Sequence, residues 1–177
     1  MNDRTTRWTL PRVVALVIVT MVTMVATPLS APAQETDDRL AIDFRATKLD
    51  GTEFNGSDLA GHVVVLDFWA VWCRPCIEAF PALNRLAREL ADRDVEIIGI
   101  AVHSGSHEEV ANFLERYDVQ YLIVVADEDL VYRLDVIGYP TYLVVGPDGD
   151  VYKRYVGAAA NLSDRIMRDV AMLQSAP

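Results

Sequence analysis

Cys73 and Cys76 are the only cysteines in 177 residues, and they close the run Phe68-Trp69-Ala70-Val71-Trp72-Cys73-Arg74-Pro75-Cys76. Such a chain can make one small disulfide ring and cannot build a disulfide framework, so the pair reads as redox-active rather than structural. Val63 to Phe68 is an apolar run of the kind that forms a central strand covered on both faces. After Cys73, Leu83, Leu86, Ala87 and Leu90 recur at i, i+3, i+4 and i+7, which predicts a helix with one apolar face. Pro81 lies inside that pattern and is expected to kink the helix. Cysteines at a strand-to-helix junction meet unpaired N–H groups and the positive end of the helix dipole, both of which stabilise a thiolate.

Residues 1–33 read apart from the rest. Arg4, Arg7 and Arg12 precede an apolar stretch from Val13 to Ala26, and Ala31-Pro32-Ala33 supplies small residues at the −3 and −1 positions of a cleavage site. This is the pattern of a secretory signal peptide. The stretch is 14 residues long, short of the about 20 that a spanning helix needs. Thr20, Thr23 and Thr27 weaken it further as a permanent span, so cleavage is favoured over an N-terminal anchor. With no cysteine near the cleavage site, a lipid anchor is disfavoured. Residues 34–39 are read as a polar, flexible lead-in, and residues 40–177 as one domain. Without residues 1–33 the chain keeps 13 basic and 25 acidic residues, a net charge of −12. That acidity repels phosphate backbones and makes nucleic acid a poor partner; basic or cysteine-containing polypeptides fit better. Export places the domain among oxidised thiols, in the periplasm.

Along the domain, Ile42 to Thr47 and Glu53 to Asn55 around Asp50-Gly51 predict a hairpin. Val95 to Val102 and Tyr121 to Ala126 predict strands, with a helix between them opened by the capping-box pair Ser106 and Glu109. Asp129 to Asp135 predicts a short helix. Thr141 to Val145 and Val151 to Val156 flank Gly146-Pro147-Asp148-Gly149, a hairpin signal. Leu162, Ile166, Val170 and Leu173 mark a final helix. Strands alternating with helices, closed by a hairpin and a helix, make an α/β sheet domain.

These residues resemble the thioredoxin fold, and most closely its exported TlpA/ResA-like thiol–disulfide oxidoreductases. The Phe68–Cys76 run carries the likeness, Gly138-Tyr139-Pro140-Thr141 matches the family's cis-proline loop, and Gly146-Pro147-Asp148-Gly149 with the strand ending at Gly157 matches its last hairpin. The resemblance covers about residues 40–175 and implies a central mixed sheet flanked by helices, an N-terminal hairpin, and a helix-strand insertion over Ser106 to Ala126. Where that family often has a Glu three residues after the second cysteine, this chain has Ala79; where it often has Asn six residues before the first, this chain has Asp67, as ordinary thioredoxins do. Glu78 is one position off and points some 100° away around the helix, so the family role does not pass to it.

The resemblance implies that Cys73 is an exposed attacking thiolate and Cys76 the deeper resolving thiol. Asp67, an acid in an apolar strand, has its pKa raised by burial and takes the proton from Cys76. Pro75 in place of His fits a reducing couple. Pro140 follows a cis bond and leaves the Tyr139 backbone free to pair with a substrate strand. Trp72, Arg74, Tyr139 and Thr141 form the substrate surface, while Phe68 and Trp69 belong to the core. His62, His103 and His107 are scattered; His103 to His107 reads as a polar loop rather than a metal loop, and no cofactor is expected. The implied clients are exported cysteine proteins such as apocytochromes and copper-site proteins, with electrons supplied by a membrane donor. Two other classes stay in view. A peroxiredoxin-type peroxidase shares the fold but needs Pro-x-x-x-Thr/Ser-x-x-Cys, and Trp69 to Trp72 do not supply it. A copper(I) carrier would use the two soft thiolates.

Overall fold

The computed structural model describes residues 41–175. The expected export signal over 1–33 and lead-in over 34–39 lie outside the described residues. The described elements, in chain order, are β1 (Arg45–Lys48), β2 (Glu53–Asn55), a 3-10 turn (Gly56–Leu59), β3 (Val63–Trp69), α1 (Arg74–Ala91), β4 (Val95–Ala101), α2 (His107–Leu114), β5 (Leu122–Val125), α3 (Glu128–Arg133), β6 (Thr141–Val145), β7 (Val151–Val156) and α4 (Leu162–Ser175).

The seven strands form one mixed sheet in the order β2-β1-β5-β4-β3-β6-β7. β3 runs parallel to β4 and antiparallel to β6, so it is central. Every residue of β3 is buried, as its unbroken apolar run requires. Alternation along β3 sends its side chains to two layers. Val64, Leu66 and Phe68 meet Phe44 and Phe54 of the N-terminal hairpin region and Leu130 and Val131 of α3. On the other face Val63 and Val65 meet Leu83, Leu86 and Leu90 of α1 and Ile166 and Val170 of α4. Trp69 continues that face, packing edge-on against Phe80 of α1 with ring centroids 5.2 Å apart. Asp67 lies between Val65 and Trp69, on the face that α1 covers.

This is the thioredoxin-like α/β arrangement expected above. β6 and β7 occupy the expected residues, and the Ser106–Glu109 capping box forms. α2 and β5 make the expected helix-strand unit, with β5 inserted between β4 and the N-terminal hairpin. The hairpin departs from expectation at its start. Ile42 and Phe44 are buried, but pairing begins at Arg45, because the Phe44 N–H turns back to the Ile42 carbonyl. α1 runs through Pro81 as one helix of 18 residues. The missing N–H at Pro81 removes one bond of the ladder, and the apolar face on either side keeps the helix seated.

One buried polar residue interrupts that apolar face. Asn84 accepts a hydrogen bond from the Gln120 N–H (2.8 Å) and donates one to the Asp118 carbonyl (2.6 Å). It thereby ties the segment before β5 to α1. Replacing it by Ala strands two backbone groups, a loss of about 1–3 kcal/mol in stability by urea denaturation. A loss below about 0.5 kcal/mol would show that the clamp does not hold this segment.

Candidate active site

Cys73 is the N-cap residue of α1, with extended backbone (φ −85°, ψ 92°), and Pro75 lies in the first turn. A turn closes just before it, the Cys73 N–H donating to the Ala70 carbonyl at 2.9 Å. The Cys73 carbonyl then receives the N–H groups of Cys76 and Ile77. No acidic residue occupies the first turn, so the positive end of the helix faces the cysteines undiminished. The two cysteines are joined in a disulfide, with their Cα atoms 5.4 Å apart.

The expectation of an exposed Cys73 needs correction. Cys73 is 4% exposed and Cys76 1%. The ring folds Cys73 onto the helix end, and Val71 and Tyr139 pack against the cluster that holds both sulfurs. Cys73 remains the more accessible of the two, and its neighbour Trp72 is 63% exposed.

Trp72 is held from behind. Its Nε1–H donates to the His103 carbonyl (3.1 Å), and its ring meets the Tyr139 ring edge-on at 5.7 Å. The Val71 N–H donates to Ser104 Oγ, whose own hydroxyl donates to the Val102 carbonyl. His103 has a left-handed backbone (φ 50°), its ring lies 6.1 Å from that of Tyr139, and its Nδ1 is 2.9 Å from Glu128 Oε1. His103 and Ser104, part of the stretch His103 to His107 that reads from sequence as a polar loop, thus buttress the aromatic surface beside the disulfide. That stretch's left-handed non-glycine residue is visible only in the backbone. Among the described residues no three His, Cys, Asp or Glu side chains are placed to hold one metal ion.

The Tyr139–Pro140 bond is cis. Strand pairing of β6 begins at Thr141, so Tyr139 lies outside the ladder. Thr141 is the second correction. Its side chain is fully buried, with Oγ1 donating to the Gly138 carbonyl at 2.7 Å, so it shapes the loop from within and presents nothing to a substrate. Strand alternation turns this residue inward. Arg74 projects into solvent and is paired with Glu78 one turn on, at 2.8 Å. Glu78 faces solvent too, in keeping with its position one residue off the family acid. Ala79 lines a cleft of about 290 Å³ together with Pro75, Glu78, Ala82, Tyr142 and Ala159.

Asp67 is 1% exposed. Across the sheet it pairs in register with Gly99 of β4 and Tyr142 of β6, so all three share the face beneath α1. Oδ2 accepts from the Tyr121 hydroxyl at 3.3 Å, and Oδ1 has no partner among the described residues. Burial pushes the carboxyl from its ordinary 3.8 up to about 7, and the Tyr121 hydrogen bond pulls the other way. Burial, with the Asp67 charge beside them, drives the Tyr121 and Tyr142 phenols up, so both stay protonated at neutral pH. Sequence reading found Asp67 but missed Tyr121 and Tyr142, which read as ordinary strand aromatics.

A dithiol pair at a helix start, an aromatic and cis-proline rim and a carboxyl buried beneath the helix define a thiol–disulfide oxidoreductase on a thioredoxin-like sheet. Comparison with known proteins agrees. The AhpC/TSA family model matches residues 38–154. The chain is 30% identical over 118 residues to the thioredoxin-like protein YneN of Bacillus subtilis, covering 66% of this chain and 69% of that one. It is 30% identical over 118 residues to the thiol-disulfide oxidoreductase ResA of Bacillus cereus, covering 66% and 68%. A secreted Mycobacterium tuberculosis disulfide oxidoreductase, described as homologous to Escherichia coli DsbE, superposes with a TM-score of 0.63 at 30% identity, over 77% of this chain and 99% of that one. The chain belongs to the AhpC/TSA family, and within it to the ResA-like thiol–disulfide oxidoreductases.

The raised Asp67 carboxyl makes stability depend on pH with a definite sign. A carboxyl that goes from 3.8 to about 7 on folding favours the fold only while protonated. Stability therefore falls as the pH rises from about 4 to 7, by on the order of 4 kcal/mol in all. Asp67→Asn removes this cost. Denaturant unfolding of the oxidised proteins should show the variant gaining on the parent at pH 8 and the gain vanishing by pH 3. An equal difference at both pH values would mean that the carboxyl is not desolvated.

Proposed function

We propose that this oxidoreductase works as a reductant of disulfides in exported polypeptides. The observation that carries this reading is the Cys73–Cys76 pair at a helix start with the Asp67 carboxyl buried under the same helix. Cys73 as thiolate attacks a client disulfide. A Cys73–client bond forms, and one client sulfur leaves as thiolate. Asp67 takes the Cys76 proton as Cys76 attacks Cys73. The Cys73–Cys76 bond forms, the Cys73–client bond breaks, and the second client sulfur leaves. Two electrons have passed to the client, and a membrane donor returns them to the enzyme.

Trp72, the backbone of Tyr139 and the edge of Pro140 form the surface that receives the client chain. Tyr139 sits two residues before the ladder, where an extended client segment continues it by strand addition. Arg74, turned to solvent, adds charge at the rim rather than at the sulfur. We take residues 1–33 as the export signal and 40–177 as the working domain, acting in the periplasm on exported cysteine proteins such as apocytochromes c or copper-site proteins. The secreted character of the Mycobacterium relative supports the location. Among the described residues no helix is long and apolar enough to cross a membrane.

The reduction potential of the Cys73/Cys76 couple, from equilibration with thiol–disulfide buffers, tests the direction. A reductant lies near −270 mV, and a value near −120 mV would make the protein an oxidant and overturn the reading.

A further inference from the structure

Three strands bring an acid, a glycine and a tyrosine side by side beneath α1. Asp67 of β3 is flanked in register by Gly99 of β4 and Tyr142 of β6. Gly99 has an ordinary strand backbone, so no turn explains it; its surroundings do. A Cβ there would run into Ile123 Cδ1, come within 3.0 Å of Tyr121 Cε2 and lie 3.4 Å from Trp69 Nε1. Ile123 Cδ1 fills the place of the missing side chain, with the Tyr121 ring against its edge, and the Tyr121 hydroxyl reaches Asp67 Oδ2 at 3.3 Å. Tyr121 is itself aimed by its neighbour: the Gln120 N–H is held by Asn84 Oδ1 at 2.8 Å, which ties this segment to α1.

We propose that Tyr121 is a positioning residue for the acid–base step. Its hydroxyl holds the Asp67 carboxyl by Oδ2 and leaves Oδ1 to exchange the Cys76 proton, while the bare position 99 leaves room for its ring and for Ile123. The inference rests on the reading of Asp67 as the base. The groups facing Asp67 are few. The segment before β5 presents Tyr121, β6 presents Tyr142, β4 presents Gly99, β3 itself presents Trp69, whose Nε1–H has no partner among the described residues, and α1, which carries Cys76, covers this face. Asp67 Oδ1 and the Tyr142 hydroxyl have no partner among the described residues, so Tyr121 provides the one directed contact to the carboxyl.

A hydrogen bond donated to a carboxylate favours its charged form. Removing it should raise the pH at which Asp67 becomes a base. The contact is long for an O–H···O bond, so the effect belongs at the modest end, about half to one pH unit.

The test isolates the Cys76 step. Reduced protein reacts with 5,5′-dithiobis(2-nitrobenzoate), whose first thionitrobenzoate leaves as Cys73 is capped. The second leaves when Cys76 attacks Cys73, and its release is followed by absorbance across pH. In the parent protein the second rate rises through a midpoint near neutral pH. Tyr121→Phe should move that midpoint up by about half to one unit, lower the rate at pH 6 about 3- to 10-fold, and leave the high-pH plateau unchanged. A merely structural loss would instead scale the rate at every pH. Gly99→Ala with Ile123→Val, which displaces the ring from the other side, should shift the midpoint in the same direction. It serves as the test if Tyr121→Phe does not fold. Asp67→Asn separates the two levels. If it keeps the parental profile, Asp67 is not the base and both readings fall. If it loses the near-neutral rise while the Tyr121→Phe and Gly99→Ala/Ile123→Val midpoints stay at the parental value, the role given to Tyr121 alone is overturned.

Discussion

A carboxyl group buried in the middle of the sheet sets the terms for everything around the disulfide. Asp67 sits in a strand otherwise made of Val63, Val64, Val65, Leu66, Phe68 and Trp69, every one of them buried. A charge there is costly, because the interior does not replace the hydration it loses. The surrounding structure tolerates it by supplying a large core on both sheet faces and a single directed hydrogen bond from Tyr121. The result is an acid that can change protonation near neutral pH beneath the helix that begins at Cys73.

The cysteines depend on a second constraint, the abrupt passage from β3 into α1. The strand ends at Trp69, a tight turn brings the Cys73 N–H to the Ala70 carbonyl, and the helix opens with Arg74 and Pro75. That geometry sets the sulfurs at the positive end of the helix dipole. The aromatic rim is tied to the same place by long-range contacts. Trp72 reaches the His103 carbonyl after β4, and Tyr139 before β6 packs against both residues. Three chain segments far apart in sequence therefore meet around one small ring. The ring's helix is anchored through the buried Phe80, Leu83, Leu86 and Leu90.

Much of this was readable from local pattern, because local pattern decides it. The continuous apolar run of β3, the helical period of α1 and α4, and the turn residues at 146–149 each need only neighbours within about a turn or a hairpin to be recognised. Asp67 stood out because it breaks an apolar run. What escaped was set by contacts across 30 to 54 residues: the Ser104 support of the Val71 amide, the clamp of Asn84 on Gln120, and the bond from Tyr121 to Asp67. Tyr121 belongs to a strand-like stretch in which a tyrosine is unremarked, and nothing local marks Gly99 as the position against which Ile123 and Tyr121 pack. Thr141 and Cys73 were misjudged for exposure, because a motif gives the identity of a residue and not the side to which the chain turns it.

The protonation of Asp67 is the hinge of the account, and it can be observed at the carboxyl itself. With the aspartate side-chain carboxyl carbons labelled with carbon-13, the Asp67 resonance can be assigned by comparison with Asp67→Asn and followed against pH in the disulfide form. A buried Asp67 carboxyl gives a single titration with a midpoint near 7, about three pH units above the ordinary value of 3.8. A midpoint at or below about 4, in the range of an ordinary solvated aspartate, would contradict it.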